Sequence, residues 1–425
     1  MQQDAGVSMG IVRSIARVIR IFVVRLNYAR VLRRVRRRYA RGEMVKVLFL
    51  VNEIAKWKAQ SLYDLLESSG RYEPVIGITI ADVDVELSTE ELVKRKNGLF
   101  GFFASKGMRV VMVCDAANRT VLSLRPLRPD IVFLPQPWNL DARNRPSRLS
   151  AFALTCYIPY YVANYGDISI DFMQSMHREV WRYFILNKAW EDLFMRQMRF
   201  GSHAGRVAGL GHTGLDFIYL NSDRMVDANI VLYAPHWSFP HPRNPNFEDY
   251  GTFLWSGMFM LEYARRHPEY KWVFKPHPSL KIKLLSSGAM TKEAVEKYWR
   301  DWSDVSTVCE TCEYQELFLR AKAMITDSAS FLTEFGATGK PLIHLISAET
   351  KIAVLPPSRE LFGTYYSVHD VDELGKTLAR VLEKGDDFKK EERINALERL
   401  GIAKNYAARR IVEHLDECLG HARSS

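Results

Sequence analysis

Three features of the sequence predict an α/β protein of two parallel-sheet domains. Buried-strand runs alternate with helical stretches, that alternation restarts past residue 205, and the chain has 425 residues, 47% of them hydrophobic. A chain this long exceeds one typical core.

The first series starts with "VKVLFLV" (45–51), an apolar, β-branched run. "SLYDLLESSG" follows as a helix ended by Gly70, then "YEPVIGITI" (72–80), "RVVMVCD" (109–115) and "PDIVFLPQP" (129–137) as further strands. Continuous apolar strands separated by helices imply a parallel sheet covered on both faces. No GxGxxG follows the first strand, so a dinucleotide fingerprint is absent and no cofactor is expected.

The second series has "ANIVLYAPH" (228–236) as a strand, "FLWSGMFMLEYARRHP" as a helix and "KWVFKPHP" as a strand. "CEYQELFLRAKAMITDSAS" reads as a helix then a strand, and "KPLIHLI" as another strand. Residues 386–421 read as helical with a break near Gly401. The expected organisation is a basic arm over 1–44, an amino-terminal domain over 45–210, a second domain over 225–400 and a carboxyl-terminal helix over 401–425.

The formal charge of +10 sits at one end. Residues 1–46 hold twelve Lys/Arg against Asp4 and Glu43, leaving 47 basic and 47 acidic residues of the total 59 and 49 elsewhere. A neutral remainder argues against nucleic acid as a partner. In the arm, Ile11, Ile15, Val18, Ile19, Phe22 and Leu26 recur at spacings of three and four, while Arg13, Arg17 and Arg20 take another face. This basic amphipathic pattern predicts that residues 9–41 bind an anionic membrane surface peripherally, on the cytoplasmic face of the cell membrane. The competing readings are a helix packed on the body or on a partner with a solvated arginine face and, third, RNA binding by "RRVRRRYAR". Arginine recurs too often for a membrane span or a cleaved signal peptide.

Five cysteines are too few and odd in number for a disulfide scaffold. Cys309 and Cys312 form a lone CxxC with no second ligand pair, so two free thiols and no metal site are expected.

The unusual polar residues of the second half fall at predicted strand ends. His236 ends one strand, with Trp237, Ser238 and His241 beyond it; Lys275 and His277 end the next; Thr326 and Asp327 end a third, followed by Ser328 and Ser330. In open parallel sheets ligands sit beyond the carboxyl ends of strands, and a cleft between two domains commonly holds them. Imidazoles, an ammonium and hydroxyls beside a helix start suit a nucleotide diphosphate and group transfer without a metal. His344, inside an apolar strand, reads as structural.

The ordered segments "ILNKAWEDLFMRQM", "GHTGLDFI", "VLYAPHW", "FKPHP" and "ITDSASFLTEFGATGKPLIHL" resemble the teichoic acid polymerase family, the CDP-glycerol glycerophosphotransferases, over roughly residues 150–350. The resemblance implies two Rossmann-like domains in the GT-B architecture and transfer of a polyol phosphate from a CDP-activated donor to a polymer or lipid-linked acceptor. It implies His277 as the histidine of the family's His-Pro motif, and Asp327, Ser328, Ser330 and Glu334 as the segment holding the donor's phosphates and ribose. Lys275 and Thr326 join them as donor-binding residues, and His236 is the second expected catalytic residue. The family's first-domain His-Gly-Thr-Pro motif falls near "TCYIPYYVANYGD" (155–167), which has no histidine; His236, His241, His177 or Asp167 is the expected replacement. A sugar-moving GT-B glycosyltransferase and a scaffold without catalysis are the rival expectations.

Overall fold

The structure, a computed structural model, describes residues 2–80, 84, 87–165, 175–197, 206–225, 228–239, 250–310, 314–348, 353–402 and 406–420, with side chains from residue 15 onward. The chain divides into two compact units: Met1–Tyr161 with Ile168–Gly214 and Tyr406–Ser425, and Val162–Asp167 with Leu215–Asn405. Each holds a wholly parallel sheet with helices, the two-domain GT-B fold expected from the sequence.

In the first unit the strands are β1 (Val45–Val51), β2 (Tyr72–Ile78), β3 (Val110–Met112), a small antiparallel hairpin of β4 (Cys114–Asp115) and β5 (Thr120–Val121), then β6 (Ile131–Leu134), β7 (Leu154–Tyr157), β8 (Arg182–Ile185) and β9 (Val207–Gly209). The sheet order is β3-β2-β1-β6-β7-β8-β9. Strand β1 is central, which is why Val47, Leu48, Phe49, Leu50 and Val51 are all buried rather than alternating. The expected strand over 109–115 ends at Met112, because Cys114 and Asp115 turn away to pair with β5.

The basic arm is only partly an arm. The helix Gln2–Ala40 buries Val24, Tyr28, Val31, Val35 and Tyr39 in the core of the first unit, a stripe at the helical spacing of three or four. Arg38 grips the buried carboxylate of Asp130 through one nitrogen, at 2.9 and 2.8 Å, and Tyr28 shares a 2.5 Å hydrogen bond with Thr155. Arg20 pairs with Glu179 at 2.6 Å. The carboxyl-terminal helix Ala407–Gly420 belongs to this unit too; the hydroxyls of Tyr39 and Tyr72 both donate to its Asp416, each at 2.6 Å.

The second unit has β10 (Ile230–Ala234), β11 (Lys271–Phe274), β12 (Thr307–Val308), β13 (Ala321–Thr326), β14 (Leu342–Leu345) and β15 (Tyr366–Val368), in the order β12-β11-β10-β13-β14-β15. Its core stacks Tyr233, Phe274 and Trp302, with the Phe274 and Trp302 rings nearly parallel and their centres 4.7 Å apart. Cys309 is disulfide-bonded, correcting the expectation of two free thiols; Cys312 lies outside the described residues.

Candidate functional site

In the second sheet β10 leads to β11 and β12 on one side, whereas β13 leads to β14 and β15 on the other. The order therefore reverses between β10 and β13, and the loops leaving their carboxyl ends diverge and open a crevice. The sequence places its polar motifs at this reversal: His236 lies two residues past β10 and Asp327 one residue past β13. Lys275 and His277 follow β11 next door.

Asp327 ties the crevice together. Its Oδ1 accepts the His236 backbone N–H at 2.6 Å, and its Oδ2 accepts the Thr252 backbone N–H at 2.5 Å and hydroxyl at 2.8 Å. Burial pushes its carboxyl pKa up, and the three donors pull it back down. With both oxygens occupied and the side chain buried, Asp327 holds the chain leaving β10 and Thr252 in place. Thr326 acts alongside: its hydroxyl donates to the Ala234 carbonyl at 2.6 Å and accepts the Ser328 N–H at 2.9 Å.

Ser328 is the N-cap of the six-residue helix Ala329–Glu334 and its side chain makes no capping bond. Ser328 is buried and Ser330 half-buried. Asn164 holds this segment: its Nδ2 donates to the Ala329 carbonyl at 2.6 Å, while its Oδ1 accepts from Thr333 at 3.0 Å and Ser358 at 2.8 Å. Lys275 is buried with its ammonium 5.1 Å from the Tyr314 ring centre and 5.7 Å from that of Phe331. Glu334, expected among the donor-binding residues, is buried and accepts the Tyr314 hydroxyl at 2.6 Å.

The two histidines differ in kind. His236 is buried; its Nδ1 accepts the Ser238 N–H at 3.1 Å, which puts its proton on Nε2, 3.2 Å from the Tyr250 hydroxyl. Burial, then the neighbouring His277, holds its pKa well below the ordinary value, so it is neutral. Both ring nitrogens of His236 are engaged within the second unit, by Ser238 and by Tyr250. His277 is half-exposed, with its ring centre 5.3 Å from that of His236. Its Nδ1 accepts the Ser279 N–H at 3.1 Å, leaving Nε2–H as a donor.

Behind His236 runs an aromatic column. Tyr250 stacks on it at 4.7 Å and on Tyr165 at 5.2 Å, and the Tyr165 hydroxyl meets His344 Nε2 at 2.6 Å. His344 is buried in β14, and burial pushes its pKa down to about 3. His177 is buried among Tyr157, Tyr183 and Phe194 in the first unit, also pushed down to about 3, and does not present a base. His241 and Asp167 lie outside the described residues.

Sequence reasoning missed Asn164, Tyr165, Tyr250 and Thr252. Only the last pair left a signal, Gly251 between them: a Cβ there would stand 1.7 Å from the Ser238 carbonyl oxygen, so only glycine lets the two backbones pass. Among the described residues no cluster of His, Cys, Asp and Glu suits a metal ion.

The first sheet reverses between β1 and β6, where a small pocket is lined by Asn52, Lys56, Trp57, Leu134 and Ile158 among others. Lys56 donates to Gln136 at 2.8 Å there, and Asn52 does so at 3.0 Å.

No family model and no curated protein matches the sequence. Among solved structures, the wall teichoic acid polymerase TagF aligns with a TM-score of 0.54 at 12% identity, covering 96% of this chain and 99% of that one. MnaA of S. aureus with UDP aligns at 0.52 and 13% identity, covering 88% and 97%. UDP-GlcNAc 2-epimerase from Neisseria meningitidis bound to UDP-GlcNAc aligns at 0.51 and 14% identity, covering 88% and 100%. At these identities the likeness is one of fold.

Proposed function

We propose that the protein is a GT-B transferase of cell-envelope polymer synthesis, which moves a polyol phosphate from a CDP-activated donor to a polymer or lipid-linked acceptor. CDP-glycerol is the first donor to test, and the reaction belongs at the cytoplasmic face of the cell membrane. The observation that carries this reading is His277: a half-exposed imidazole whose Nδ1 accepts the Ser279 N–H, two residues past Lys275 at the same carboxyl edge of the second sheet from which Ser328 and Ser330 follow β13.

That set suits a diphosphate. Lys275 supplies positive charge, Ser328 and Ser330 supply hydroxyls, and the Ala329 and Ser330 amides stand ahead of the helix's own hydrogen-bond ladder. The acceptor oxygen forms its bond to the donor's β-phosphorus as the bond to the CMP oxygen breaks. His277 Nε2–H and Lys275 stabilise the charge that CMP carries away. The acceptor's proton goes to a base outside this cluster, since Nε2 of each histidine already holds one.

Two of the structural neighbours are described with UDP or UDP-GlcNAc, which favours sugar transfer as the second reading because the same phosphate cradle serves both. Release of CMP from CDP-glycerol and CDP-ribitol, with UDP-sugars as controls and native membranes as acceptor, separates them. CMP release that His277→Ala abolishes supports the proposal. Turnover of a UDP-sugar alone replaces it with a glycosyltransferase, and no turnover of any donor points to a scaffold.

A further inference from the structure

We propose that the solvent face of the N-terminal helix is a lipid-binding surface in two parts, an apolar end that enters an anionic leaflet and an arginine band that meets its phosphates. It deepens the membrane location given above, and it rests on where the helix is anchored. From Val24 to Tyr39 one stripe of the helix is consumed by the core of the first unit. The helix is thereby fixed in rotation, and only its opposite face is free to meet a partner.

That free face changes character along its length. Ile15, Val18, Ile19, Phe22 and Leu26 lie on it at spacings of three and four, and Phe22 is 62% exposed where Val31, on the anchored side, is 3% exposed. A run of large apolar side chains left in water on one helix face is costly unless something covers it. The same three-and-four spacing continues through Arg30, Arg33 and Arg37, all exposed and with no hydrogen bond or ion pair to any described residue. By contrast Arg20, which the sequence pattern had assigned to headgroups, is turned to the body and paired with Glu179.

Charge selects the occupant. Between residues 5 and 42 the chain has no Asp or Glu, so a second copy of this face would bring no counter-charge to the arginines, whereas an anionic leaflet supplies phosphates. The apolar part, from Ile15 to Leu26, is about 16 Å long at 1.5 Å per residue. Its side chains reach the boundary of headgroup and acyl chain when the helix lies along the surface, with the arginines at phosphate level. No described helix is long and apolar enough to cross a membrane, so contact is with one leaflet.

Flotation of the full chain with vesicles of phosphatidylcholine alone, or with 30% phosphatidylglycerol, tests this. The unmodified protein is expected to float with the anionic vesicles and much less with the neutral ones. Val18→Ser with Phe22→Ser and Leu26→Ser should weaken binding at least about tenfold. Arg30→Gln, Arg33→Gln and Arg37→Gln should each weaken it about fivefold on anionic vesicles and leave binding to neutral vesicles unchanged. These side chains are exposed, so unaltered circular dichroism and thermal unfolding will show that folding is intact. Equal binding of all variants, or no binding by the unmodified chain, overturns the proposal. A concentration-dependent dimer that the apolar triple variant dissolves also overturns it, in favour of a second copy. The assay uses neither donor nor acceptor, so its failure and that of the transferase reading are separate results.

Discussion

The Asp327 carboxylate receives the backbone N–H of His236 at 2.6 Å, so a side chain at the end of β13 fixes the chain leaving β10 on the far side of the sheet's reversal. The second Asp327 oxygen holds Thr252 in the same way. Asp327→Asn replaces an acceptor by an NH₂ that faces donors, and each orphaned buried donor costs about 1–3 kcal/mol. The variant is expected to unfold at lower urea concentration and to lose donor binding with it. An unchanged midpoint would show that Asp327 does not carry the clamp.

Lys275 is buried, with its ammonium over the rings of Tyr314 and Phe331. Lys275→Met keeps the stem that packs on Tyr314 and Phe331 and removes only the charge. Turnover should fall about 10²-fold with the fold intact, the scale of losing one electrostatic stabiliser. Steady-state kinetics alongside thermal unfolding is the check; full activity would remove Lys275 from the site.

Asn164 uses its whole side chain to hold the turn that carries Ser328 and Ser330. Asn164→Ala is expected to raise the donor KM about tenfold, a binding difference of about 1.4 kcal/mol, with a smaller change in kcat. Equal loss in kcat alone would contradict a role in donor positioning.

Acid should weaken the second unit in a defined window. His236 and His344 have folded pKa values below the ordinary 6.5, His344 at about 3, because burial disfavours their charged forms. Below pH 6.5 the unfolded chain takes up protons that the fold refuses, so stability falls as pH drops from 6.5 toward 3. Each histidine contributes about 1.4 kcal/mol of loss at pH 5.5 relative to pH 7.5. Asp327, whose pKa is raised, acts in the opposite sense at lower pH. Urea unfolding at the two pH values measures the difference, and a flat midpoint would mean these imidazoles ionise without cost.

The strands and the polar residues at their ends were legible because a central parallel strand must be apolar on both faces, as in "VLFLV" and "IVLYA", and because a Lys or His directly after such a run has no place in the core. The strands β7 to β9 were harder to read, being only three or four residues long and lacking the length that separates a buried strand from a buried helical turn. The amphipathic period of the N-terminal helix was visible, but not which of its faces the body takes. Val24, Val31 and Val35 look no more apolar than Val18 or Ile19; the difference is that the first three meet the core of the first unit.

By itself the sequence determined the α/β alternation, the concentration of positive charge near one end, and the gathering of Lys275, His277 and Ser328 at strand ends, since these depend on local periodicity and composition. Tertiary structure decided their roles. It occupied the oxygens of Asp327 and the ring nitrogens of His236, turned His277 Nδ1 onto the Ser279 N–H, and brought in Asn164 and Tyr165 from a distant part of the chain. Hydrogen-bond partners and burial, which set both protonation and reach, arise only when segments far apart in sequence pack together.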